Sequence, residues 1–122
     1  MAGKKQTEGK IPFHLLSGPA LEGIAQVLEY GMKKYDARNW EAGIPYDKIF
    51  QAMQRHLWKF WSGHDIDDET GLSHVAHAAC LSMFLLHFVK CSDRYAMFDN
   101  RPIEHHVGIS NDGNPAKQEG LE

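Results

Sequence analysis

The stretch from Val75 to Val89 is apolar at nearly every position and carries no charged residue, although it holds His77 and His87. It is too long for an ordinary strand of about 4–8 residues. It falls short of the ~20 apolar residues that span a bilayer. A segment of this kind is a helix buried on most of its sides, so other elements must cover it. It predicts a helix from about Leu72 to Lys90 at the centre of an all-α bundle.

Two further helices are legible. Ser17-Gly18-Pro19 combines a hydroxyl cap with an early proline. The helix expected from there runs from about Pro19 to Tyr35, with Leu21, Ile24, Ala25, Leu28, Met32 and Tyr35 as its apolar stripe. Asp36 to Pro45 is rich in turn formers and reads as a loop. Another helix is expected over Tyr46–Trp61, with Phe50, Met53, Leu57, Phe60 and Trp61 apolar and Gly63 ending it. The acidic loop His64–Gly71 leads into the central helix. Three helices make a thin core for 122 residues, and oligomerisation, to a dimer or tetramer, would bury the surplus surface of Trp58, Phe60 and Trp61. The expected organisation is a mobile lead over residues 1–11, a helical catalytic domain over 12–92 and a loosely ordered tail over 93–122.

Composition narrows the function classes. The formal charge of −3 lacks the basic balance of a nucleic-acid binder, and no segment is long and apolar enough for a membrane span. Two cysteines without a CxxC spacing are not a disulfide framework. A cytoplasmic setting is the expectation. Eight histidines point towards metal or acid–base chemistry, because imidazole both ligates metals and titrates near neutrality.

Those histidines converge on paper. His74 and His77 are spaced i, i+3 and share a helix face. His56 lies on the preceding helix, and antiparallel packing would bring all three together. Asp65, Asp67, Asp68 and Glu69 lie in the intervening loop, so carboxylates close the same end. Oxygen ligands suit Mg2+, whereas mixed nitrogen and oxygen ligands suit Mn2+ and other transition ions. Lys33, Lys34, Asn39 and Trp40 form a second group. The lysines can meet phosphate or complement a helix dipole, Asn39 can read a base edge, and Trp40 can stack on a base or fill the core. Arg55 can hold a phosphate bidentately with Lys59 one turn on. No P-loop, dinucleotide fingerprint or nucleophile elbow is present.

These residues, taken as motifs, resemble the phage and bacterial dATP/dGTP diphosphohydrolases (MazZ-type), within the MazG-like all-α nucleotide pyrophosphohydrolases. The likeness rests on YGMKKY (Tyr30–Tyr35), Asn39-Trp40, Arg55-His56, the run Gly63–Asp67, ETGL (Glu69–Leu72) and HVAHA (His74–Ala78), and covers about residues 12–90. It implies hydrolysis of a purine deoxynucleoside triphosphate, dGTP or dATP, to its monophosphate and pyrophosphate with Mg2+ or Mn2+. The chain departs from the MazG-like pattern in having no ExxE and no ExxD on its expected helices, the lone ExxE (Glu119–Glu122) lying in the expected tail. Three substitutes are open: histidines in place of acids, loop acids as oxygen ligands, or Glu22 and Glu29 reaching in from the first helix. The favoured site is mixed. Its metal ligands are drawn from His56, Asp65, Asp67, Glu69, His74 and His77. Its catalytic groups are drawn from Asp65, Glu69 and His74, and substrate is bound by Lys33, Lys34, Asn39, Trp40, Arg55 and Lys59. The rival readings are an HD-type phosphohydrolase centred on His64-Asp65 and a non-catalytic nucleotide-binding module.

Overall fold

The computed structural model describes residues 3–6 and 8–102 and is all-helical. Its elements are α1 (Gly18–Met32), α2 (Tyr46–Trp61), α3 (His74–Lys90) and the single turn α4 (Ser92–Tyr95), with 3-10 turns at Phe13–Leu15, Asn39–Ala42 and Ala96–Phe98. No strand is present among the described residues, and pairing is limited to an isolated bridge between Ile66 and Ser73.

The caps explain the boundaries. Ser17 Oγ accepts the Ala20 amide at 3.1 Å, so α1 starts at its hydroxyl cap as expected. It ends at Met32, about a turn before Tyr35. Ser62 and Gly63 close α2 by a double hydrogen bond: Gly63 N–H donates to Phe60 O and His64 N–H to Lys59 O. Gly63 takes φ +99°, a left-handed conformation that the missing Cβ permits. Ser73 Oγ accepts from Ala76 N and sets the start of α3 at His74, two residues after the expected start at Leu72.

The apolar α3 is the central helix. It packs antiparallel against α2 and is covered on another side by α1. The core is Tyr46, Ile49, Phe88 and Tyr95, with Trp40, Ile44, Met53, Leu81, Phe84, Leu85 and Phe98 partly buried around it. Helix α1 buries no residue fully, and Leu21 and Met32 of its expected stripe stay about half exposed. It meets the rest of the bundle mainly through α3, with Gly23 against Ala76, so only part of that stripe is covered.

The expected boundary at 92/93 is corrected. Residues beyond Ser92 enter the core, because Tyr95 is 1% exposed and packs on Phe88. Its hydroxyl donates to Glu41 O at 2.6 Å. Phe98 lies where a side chain on Gly43 would stand, and Gly43 has φ +108°. Asn100 Oδ1 accepts the Asp47 amide in the first turn of α2. This segment therefore clasps the Asn39–Asp47 connection against α3. Two aromatic residues without a period carry it, so it gives no helical pattern. The rest of the expected tail, 103–122, lies outside the described residues. No single helix among the described residues is long and apolar enough to cross a membrane.

Candidate functional site

Antiparallel packing of α2 and α3 does bring His56, His74 and His77 together. All three are buried. His56 Nδ1 and His74 Nδ1 lie 2.9 Å apart, and the His56 ring stacks on His77 with centroids at 4.4 Å. The loop between the helices folds back on itself. Asp67 N–H donates to Leu72 O, Gly71 N–H to Asp67 O, and His74 N–H to Asp65 O. This turns the Asp67 carboxylate inward. Ligand atoms of His56, Asp67 and His74 then all lie within 4.8 Å of one another.

The electrostatics keep this group ready to donate lone pairs. Burial pushes His56 down to about 4, and the charges of His77 and Arg55 act in the same direction. Burial also lowers His77, against the opposing pull of Asp67. For Asp67 burial acts upward, yet hydrogen bonds from the Thr70 hydroxyl and amide outweigh it and hold the carboxyl below its ordinary value. At neutral pH His56 and His77 are thus held uncharged beside the ionised carboxylate of Asp67.

The other expected ligands stand differently. His77 Nε2 lies 2.7 Å from Thr70 Oγ1 and 4.0 Å from Asp67 Oδ2, so a hydroxyl occupies it. Asp65 meets α3 through its backbone carbonyl while its residue is exposed. Glu69 is 75% exposed at its side chain and pairs with Lys34 at 3.7 Å. Glu22 and Glu29 are exposed and line no cavity described here. Thr70 was not singled out in the sequence, and the only hint was its place in ETGL.

Beside the histidines opens a cavity of about 340 Å³ between the end of α1, the following loop, α2 and α3. Tyr30, Tyr35, Trp40 and Phe84 give it an aromatic wall, and Lys34, Asn39, His56, Glu69, Thr70 and His77 contribute polar groups. Trp40 stacks on Phe84 at 4.6 Å and meets His87 edge-on, so it is a fixed wall anchored in the core. Lys33 is exposed and does not line this cavity. Arg55 and Lys59 border a separate cleft with Trp58, Ser62 and His64. His64 therefore faces that cleft, Asp65 does not join it, and the HD dipeptide builds no helical site.

A helical chain thus sets a two-histidine, one-carboxylate group that could hold a metal ion beside a cavity with an aromatic wall. The family described as "dATP/dGTP diphosphohydrolase, N-terminal" matches residues 1–101. The chain belongs to the dATP/dGTP diphosphohydrolase family, to whose N-terminal part it corresponds. It is 36% identical over 102 residues to the dATP/dGTP diphosphohydrolase of Salmonella phage PMBT28, a match covering 84% of this chain. It spans about a third (32%) of that relative's length. No solved structure matches.

Proposed function

We propose that this chain hydrolyses a purine deoxynucleoside triphosphate, dGTP or dATP, to the monophosphate and pyrophosphate, with a divalent cation held by His56, Asp67 and His74. The relative's name supplies the substrate class. The observation that carries the reading is the grouping of those three donors around His56, which itself lines a cavity with an aromatic wall. Their chemistry fits a cation: burial keeps the His56 imidazole neutral, the Asp67 carboxylate is ionised, and the 2.9 Å between the two Nδ1 atoms suits adjacent donors at about 2.1 Å from one ion. Two nitrogens to one oxygen favours Mn2+ over Mg2+. When bound, such an ion neutralises phosphate charge and acidifies water.

The base lies against Trp40 and Tyr35, with Asn39 offering donors and an acceptor to its edge. Lys34, which lines the cavity, draws the phosphates towards the histidines. Glu69 lines the same cavity and takes the proton as water attacks the α-phosphorus. The bond from that phosphorus to the bridging oxygen breaks, and pyrophosphate leaves. Arg55, whose charge is felt at both His56 and His77, stabilises charge on the departing phosphates from the neighbouring cleft.

The chain is also proposed to act as a homo-oligomer. Phe50, Leu57, Trp58 and Trp61 are exposed together on α2. Phe50, Gln54, Leu57 and Trp61 repeat at spacings of four, three and four, the seam on which helices pair.

Chromatography of products from dGTP and dATP with Mn2+ tests the activity. The expected products are the deoxynucleoside monophosphate and pyrophosphate. A diphosphate with orthophosphate would sink the pyrophosphohydrolase reading, and no turnover would favour a binding module.

A further inference from the structure

Thr70 Oγ1 is the most heavily committed polar atom near the site. It lies 2.9 Å from Asp67 Oδ2 and 2.7 Å from His77 Nε2, and it accepts the Leu72 amide at 3.2 Å. A hydroxyl has one proton and two lone pairs. Leu72 N–H takes one lone pair. An ionised carboxylate only accepts, so the single proton goes to Asp67. The remaining lone pair must meet a proton on His77 Nε2.

We propose that Thr70 is a positioning residue that fixes His77 as its Nε2–H tautomer and aims Asp67 at His56 and His74. The consequence is a division of labour between two adjacent histidines of α3. His74 turns Nδ1 to within 2.9 Å of His56 Nδ1, while the Nε2 of His77 is spent on the hydroxyl. Asp67 is held twice by the same residue, through the Thr70 amide and the Thr70 hydroxyl, both at 2.9 Å, and both bonds end on Oδ2. That leaves Oδ1 free of Thr70. The inference about Asp67 rests on the donor set proposed above, whereas the tautomer of His77 does not.

The test is two-bond 1H–15N correlation NMR of the metal-free full chain with ring-labelled histidine, joined to Mn2+ titration calorimetry. Wild type and Thr70→Ser show His77 protonated on Nε2, and Thr70→Val, of the same shape without the hydroxyl, loses that single tautomer. Thr70→Val also weakens Mn2+ binding by about 10–100-fold, and Thr70→Ser restores it to within about threefold, as for other groups that orient metal ligands. A wild-type His77 protonated on Nδ1 overturns the proposal, as does a valine variant with unchanged tautomer and affinity. If Thr70→Val does not fold, the wild-type tautomer and the serine variant still decide. Absence of Mn2+ binding by wild type, with the Nε2–H tautomer in place, instead overturns the metal reading and leaves Thr70's hold on His77 standing.

Discussion

His56 is 8% exposed and faces His74, His77 and the charge of Arg55. Its folded value of about 4 lies below the ordinary 6.5. Below pH ~6.5 the unfolded chain therefore binds a proton that the folded chain refuses, and stability falls as pH drops towards 4. The loss is at most about 3 kcal/mol from this residue. Thermal melts of wild type and His56→Gln between pH 7 and 4.5 should diverge, with the variant showing the shallower slope. A wild-type melting temperature that rises on acidification would contradict the burial argument. Glu69 offers the opposite case, being largely exposed and free of any core role. Glu69→Gln should leave stability within about 0.5 kcal/mol. If Glu69 is the proton acceptor, kcat should fall by about 10²–10⁴ while Mn2+ affinity is unchanged. Lost Mn2+ affinity would make it a ligand instead.

Among the elements, the segment Ser92–Asn100 has the clearest consequence. It ties the connection bearing Asn39 and Trp40 to α3 through Tyr95, Phe98 and Asn100, far from the histidines in sequence. Tyr95→Phe removes the hydrogen bond to Glu41 O and should cost about 1 kcal/mol in chemical denaturation. Tyr95→Ala leaves a cavity beside Phe88 and should cost about 3–5 kcal/mol. Gly43→Ala should destabilise as well, because a Cβ there meets Phe98 and the backbone has positive φ. Near-neutral effects of all three would mean that the clasp is not part of the folded core. This clasp was not legible beforehand, since periodicity reports helices and the segment has only one turn. The boundaries of α2, by contrast, were read correctly from its own residues, and those of α1 and α3 to within a turn, because caps and stripes are local.

For the molecule as a whole, the apolar surface left on α2 matters most. Trp61 is 79% exposed and Trp58 65%, and contiguous exposed apolar surface of this kind marks interaction sites. Light scattering at micromolar concentration should give a multiple of 13.8 kDa, and Leu57→Glu with Trp61→Glu should reduce it to that mass with helicity retained. A wild-type chain already at 13.8 kDa would refute the oligomer. The sequence alone determined the helical class, the central place of the apolar helix, and the meeting of His56, His74 and His77, because hydrophobic period and helix order suffice for those. Only the tertiary structure decided which acid joins them. Asp65, Asp67 and Glu69 are equivalent as letters in one loop. Hydrogen bonds closing that loop turn Asp67 inward, give Thr70 to His77, and leave Glu69 at the cavity mouth with Lys34. Side-chain direction in a loop depends on contacts formed across the fold, and no local pattern encodes it.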